Sequence, residues 1–243
     1  MRDSSCRGPA LASGAPGGTR TPGLLVRSQS LYPAELRAHG YHYSRTRPDR
    51  LLPWEAMSAS GATETEIKLR LDSAGQGRRL LRLHGFRIVR RRVHENNIAF
   101  DSPELGLRQR GLLLRLRRAG IRAILTFKGV AALGKHKSRL EIETAVNDPA
   151  SLEAILRGCG LRVALHYEKY RTEYRGPDPA GLATLDETPI GVFLELEGPP
   201  TWIDRTAEIL GFDESHYITM NYGQLYEAYA RLHGLNSREM IFR

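Results

Sequence analysis

Glu64-Thr-Glu-Ile-Lys-Leu-Arg-Leu71 alternates without a break. Glu64, Glu66, Lys68 and Arg70 fall on one face of an extended chain; Thr65, Ile67, Leu69 and Leu71 fall on the other. A repeat of two is the period of a β-strand. A lone strand of this kind reads most simply as a surface strand with its charges in water. The same one-sided charge recurs along the chain, however. Arg115 and Arg117 share a face in Leu112-Leu-Leu-Arg-Leu-Arg-Arg118, and Lys128 shares one with Thr126 and Ile124. Arg139, Glu141 and Glu143 align, as do Lys169, Arg171 and Glu173. Asp186 lies on Ala183–Glu187, and Phe193, Glu195 and Glu197 group in Val192–Glu197. Val89–His94 and Asn97–Asp101 supply further pieces of strand.

Strands that follow one another with short turns favour antiparallel pairing. Two arrangements satisfy this pattern. One is a flat sheet with a wet face; the other is a barrel with charges inside and apolar residues outside. Amphipathic helices are available as a cover. Ser73–His84 stops at Gly85. Residues 148–158 open with Asp-Pro, a cap followed by the turn that tolerates proline, and end at glycine. Thr201–Leu210 precedes Gly211, and Tyr222–Leu232 follows near the end.

The chain has 243 residues, 41% apolar and 26% charged, which suits a globular protein. No apolar run is long enough for a membrane helix, so no membrane partner is expected. Cys6 and Cys159 make no disulfide framework, which fits a reducing, cytoplasmic setting. The net charge of +9 invites nucleic acid as a partner. Its distribution argues otherwise, because residues 57–243 hold 28 basic against 23 acidic side chains and the basic ones alternate inward rather than forming an outer stripe with aromatics. Residues 1–56 differ in kind. They are rich in Gly, Pro, Ser and Arg, show no structural period, and are expected to be disordered. The stretch Gly17–Gly40 resembles the conceptual translation of a transfer-RNA gene, so these residues read as a non-native extension with translation starting at Met57.

Buried charges are costly unless paired or bound. A lumen holding several carboxylates and several Lys or Arg calls for a ligand that satisfies both. Glutamates two apart on a strand point the same way and can share divalent ions, with hard oxygens favouring Mg²⁺ or Mn²⁺. Lys and Arg then meet phosphate oxygens.

Glu64-x-Glu66-x-Lys68, Arg115-x-Arg117, Lys128, Arg139-x-Glu141-x-Glu143, Lys169-x-Arg171, Leu185-Asp-Glu-Thr188 and Glu195-Leu-Glu197, in that order, resemble the CYTH superfamily of class IV adenylate cyclases, thiamine triphosphatases and inorganic triphosphatases. The resemblance spans nearly all of residues 62–230. It implies an α+β fold over residues 57–243, an eight-stranded antiparallel β-barrel (the triphosphate tunnel) with a charged lumen and helices packed outside. It implies metal binding by Glu64, Glu66, Glu195 and Glu197, with Glu141 and Glu143 assisting or holding a second ion. It implies triphosphate contacts from Lys68, Arg115, Arg117, Lys128, Arg139, Lys169 and Arg171, and catalytic roles for Lys68, Lys128 and Asp186. The implied reaction is hydrolysis of inorganic, nucleoside or thiamine triphosphate. The alternatives are a class IV adenylate cyclase forming cyclic AMP and pyrophosphate, or a non-catalytic polyphosphate- or nucleotide-binding module. Two-subunit assembly is common for such folds.

The chain departs from the family at its end, where Thr219-Met-Asn-Tyr-Gly-Gln-Leu225 stands in place of a Ser-Tyr-x-x-Leu pattern. The aromatic-rich segment associated with cyclases before the Glu-x-Glu strand is missing, which weighs against cyclisation. His84, His136, His166 and His233 read as surface or packing residues, because no second His or Cys stands at ligand spacing. His94 is a candidate for the lumen. Gly129–Lys137, with Lys135 and Lys137, reads as a mobile basic lid or a flexible hairpin turn.

Overall fold

The computed structural model describes residues 61–132 and 134–243. The disordered, mis-started extension expected over residues 1–56 lies outside the described residues. The first strand, β1 (Ala62–Leu71), contains the alternating stretch, and helix α1 (Ala74–Leu83) follows. Next come β2 (Arg87–Asp101), a short helix α2 (Gly106–Gln109), β3 (Leu113–Ala119), β4 (Arg122–Lys128) and β5 (Lys137–Ala145). Helix α3 (Pro149–Gly158) leads into β6 (Arg162–Arg175), β7 (Leu182–Thr188) and β8 (Gly191–Glu197). Helix α4 (Pro200–Ile209), a 3₁₀ turn (Glu214–His216), α5 (Tyr222–Leu232) and β9 (Glu239–Met240) complete the described chain.

The strands run in the order β2-β3-β4-β5-β1-β8-β7-β6, and β2 pairs back onto β6. That last pairing closes the barrel and rules out the flat sheet. All eight strands are antiparallel to their barrel neighbours. Closure leaves no unpaired edge around the wall. The two-residue β9 adds outside, parallel to β6.

Register follows the alternation. Lys68 stands opposite Glu195, Glu66 opposite Glu197 and Lys137, and Lys128 opposite Glu141. Directly opposed residues share a face, so every charged face points into one lumen. The other faces point outward to the helices. Ile67, Leu69, Ala183, Leu185, Leu194 and Leu196 pack against Leu81 of α1 and against Trp202, Ile203 and Ala207 of α4. Ile98, Phe100 and Leu116 pack against Leu152 and Leu156 of α3. Each fully buried Leu or Ile contributes about 1.5–3 kcal/mol, so the apolar face of each strand drives closure. The helices begin where side-chain caps allow. Ser73 accepts from the Gln76 amide, Asp148 from those of Ala150 and Ser151, and Asn221 from that of Gln224.

β2 differs from the sequence reading. The two pieces Val89–His94 and Asn97–Asp101 form one strand, with register shifts against β6 near Arg90, Val93 and Phe100. Its polar middle, His94-Glu-Asn-Asn97, hid the continuity. His94 is a correction: its neighbour Glu95 takes the inner face, and the His94 ring lies outside against Tyr170, 5.0 Å between centroids. No helix among the described residues is long and apolar enough to cross a membrane.

Candidate active site

Fourteen charged side chains converge on one cavity of about 490 Å³. Glu64, Glu66, Lys68, Arg115, Arg117, Lys128, Arg139, Glu141, Glu143, Lys169, Arg171, Glu195 and Glu197 all line it, as the alternation anticipated. Lys137 and Asn221 join them, together with Tyr167 and Tyr222. Asp186, expected among the catalytic groups, does not line it.

The carboxylates sort into three groups. Glu66 and Glu195 clamp the Lys68 ammonium, each oxygen 3.2 Å from Nζ. Burial works against the charge on Lys68, but Glu195 and Glu66 outweigh it and raise its pKa. Glu64 and Glu141 hold the Lys128 ammonium between them at 2.5 Å each. Glu197 joins this second group, because burial and the neighbouring Glu64 push its carboxyl up to about 8. Burial and Glu64 push Glu141 up to about 8 as well. Burial would raise Glu64 too, yet Glu141 and Lys128 beside it bring it down to about 2. Glu143 is apart, accepting from the Thr126 hydroxyl at 2.7 Å, with Arg115 at 3.6 Å.

The donor set of Glu64, Glu141 and Glu197 fits a divalent cation. Three hard carboxylates share a patch with one ammonium, and burial, with Glu64 beside them, raises the pKa of Glu141 and Glu197. Among the described residues, no three acidic or imidazole side chains already stand as a closed cage. Ammonium groups occupy the spaces between carboxylates, and a cation there would have to displace Lys128.

Asp186 is fully buried and accepts from Lys169 Nζ at 2.7 Å, from Arg171 at 2.7 and 2.6 Å, and from the Tyr222 hydroxyl at 2.7 Å. It anchors two lumen cations rather than facing a ligand. The Tyr222 ring also lies under the ammonium groups of Lys68 and Lys169, 5.3 and 4.9 Å from its centroid. The Arg115 guanidinium donates to Tyr167 and Thr126.

Three features escaped the sequence reading. Lys137 is no lid residue; it lies inside the lumen at 3.2 Å from Glu66, and burial, with Lys68 and Arg139 nearby, lowers its pKa to about 8. The segment before it is pinned, with Lys135 and His136 both on Asp204 of α4 at 3.1 and 2.7 Å. Tyr167 and Tyr222 reach the lumen from β6 and from the first turn of α5. A strict extension of the alternation upstream from Arg139 would have found Lys137. No local signal marks the tyrosines.

A second cavity of about 610 Å³ adjoins the first and shares Leu113, Lys137, Arg139 and Asn221 with it. Its wall mixes apolar side chains such as Phe100, Leu112, Val130 and Met220 with polar Gln224 and Arg238.

A closed antiparallel barrel with acids and bases interleaved along its bore defines a tunnel-forming charged-lumen protein. Comparison with known proteins narrows the class. The CYTH domain family model matches residues 62–209. A Methanocaldococcus jannaschii protein named "putative adenylate cyclase" is 27% identical over 148 residues, 60% of this chain and 83% of that one. A Vibrio parahaemolyticus structure, also described as a "putative adenylate cyclase", matches with a TM-score of 0.60 at 18% identity over 69% of this chain and 99% of that one. A Hippeastrum structure, described as a "putative adenylyl cyclase" that reveals a dominant triphosphatase activity, matches with a TM-score of 0.52 at 18% identity over 72% and 97%. This chain belongs to the CYTH domain family and is an enzyme of that kind.

Proposed function

We propose that the protein is a metal-dependent triphosphatase whose substrate lies along the lumen. The carrying observation is the line of cations across the bore: Lys68, Arg115, Arg117, Lys128, Lys137, Arg139, Lys169 and Arg171 all reach one cavity from five strands. Linear triphosphate is the common anion whose charge and length call for that many donors. Arg115, Arg117 and Arg171 fork onto phosphate oxygens, and the lysines act as point charges. Their positions are held in advance, Lys169 and Arg171 by Asp186 and Lys68 by Glu66 and Glu195. Such preorganisation supplies most of the stabilisation in phosphoryl transfer. Glu64, Glu141 and Glu197 would hold Mg²⁺ or Mn²⁺, which neutralises phosphate charge and makes water a better nucleophile. Asp186 acts as a positioning residue.

The second cavity favours a further reading. An organic group on the triphosphate would rest there, and with a nucleotide a ribose hydroxyl could attack the α-phosphorus, giving cyclic AMP. Purified protein given tripolyphosphate, thiamine triphosphate and ATP, each with Mg²⁺ or Mn²⁺, separates the readings by assay of phosphate, pyrophosphate and cyclic AMP. Phosphate release is expected. Pyrophosphate with cyclic AMP from ATP would establish the cyclase instead, and no turnover of any substrate would leave a binding module.

A further inference from the structure

Glu95 has no role in the scheme above. Its residue is 0% exposed, on the inner face of β2, and it does not line the cavity that Arg117 and Lys169 line. Its Oε2 is 3.5 Å from Arg117 Nε and 3.7 Å from Lys169 Nζ, and neither carboxylate oxygen accepts a hydrogen bond. Both cations have nearer partners. Lys169 donates to Asp186 at 2.7 Å and Arg117 to Asn97 at 3.2 Å. Burial opposes ionisation of Glu95, but Lys169, Arg117, Arg171 and Arg115 together bring its carboxyl down to about 2. A buried carboxylate without hydrogen bonds is costly to keep. Its compensation is the surrounding positive charge of Lys169, Arg117, Arg171 and Arg115 rather than any hydrogen bond. What Glu95 supplies is charge, placed behind two of the groups that meet the ligand.

We propose that Glu95 is a positioning residue whose buried charge weakens the hold of Arg117 and Lys169 on a bound anion, so that the lumen releases its phosphate products. This rests on the triphosphatase reading. A negative charge behind the cations lowers the positive potential in the lumen by the same electrostatics that attract the substrate. Product that leaves too slowly limits many enzymes.

The test uses the full chain with Mg²⁺, with Kd read by calorimetry for pyrophosphate, the product, and turnover read separately with tripolyphosphate. Glu95→Gln is expected to tighten Kd on the order of 10-fold. Inhibition by pyrophosphate should tighten in step, and kcat and KM should fall together. A merely structural role would lower the melting temperature and leave Kd unchanged or weaker, and either binding result overturns the proposal. Asn97→Asp is the opposite probe, and it also serves if Glu95→Gln does not fold. It adds a charge where Arg117 already donates, and it should loosen Kd on the order of 10-fold. Unchanged or tighter binding there overturns the proposal as well. Wild-type protein that neither binds pyrophosphate nor cleaves tripolyphosphate would instead remove the triphosphatase reading on which the proposal stands.

Discussion

Lys68 concentrates the chemistry of the site in one side chain. It is buried, held by Glu66 and Glu195, and rests on the face of Tyr222. Removing a buried partner leaves the remaining charges uncompensated, at about 3–5 kcal/mol. We expect Lys68→Ala and Glu66→Ala each to lower turnover by about 10²-fold or more, with melting curves recorded alongside to separate folding from chemistry. Near-wild-type turnover in both variants would refute the placement of the active site in this lumen. The perturbed acids and Lys137 also set a pH profile. Glu141 and Glu197 titrate at about 8 in the folded chain, above their ordinary value of 4.5. Their protonated forms stabilise the fold at low pH, and that contribution is lost as pH rises from 4.5 through 8. Lys137 is depressed from 10.5 to about 8, so its contribution is present above 10.5 and lost as pH falls towards 8. The opposing slopes predict a stability minimum near pH 8 in chelator-treated protein. Adding Mg²⁺ should raise the melting temperature more at pH 8 than at pH 6, and thermal scans across that range check it.

At the scale of elements, α5 joins packing to the site. Asn221 caps it, accepting from the Gln224 amide while the Gln224 side chain accepts from the Asn221 amide. The cap fixes the first turn, where Tyr222 reaches Asp186. Asparagine therefore supplies the cap at the position where the resembled pattern has serine. Asn221→Ser should be nearly neutral, and Asn221→Ala should cost about 1 kcal/mol, both read by denaturant unfolding. Gly181, at the start of the β7 hairpin arm, lets the Trp202 ring of α4 sit against the sheet. A Cβ there would fall 2.3 Å from that rigid ring. Gly181→Ala should destabilise by about 1–3 kcal/mol through overpacking, visible as a lower unfolding midpoint.

For the molecule as a whole, every strand of the barrel lies between Ala62 and Arg175 or Leu182 and Glu197, and the capping helix ends at Leu232. With translation proposed to start at Met57, a chain begun there should melt and turn over like the full one. Mass spectrometry of the native N-terminus tests the start itself, and peptides from residues 1–50 would sink it. The net charge of +9 does not describe the site. Within the lumen six carboxylates stand among eight Lys and Arg side chains, so most of the local charge is already paired.

Alternation in Glu64–Leu71 and its repeats was enough to state which side chains share a face, because side-chain direction in a strand depends only on local backbone geometry. The residues assigned to metal and phosphate line the cavity for that reason, whereas Asp186, Arg70, Glu173 and His94 do not. Closure was not local. It required β2 to pair with β6 along strands that begin 75 residues apart in the chain, at Arg87 and Arg162. The sorting of carboxylates was likewise tertiary, since Glu64 meets Lys128 from 64 positions away. So were the insertion of Tyr222 from a helix and the concealment of Glu95 behind Arg117 and Lys169. Strand period assigns a face; only the three-dimensional approach of distant strands decides which charges touch, and so which are free to meet a ligand.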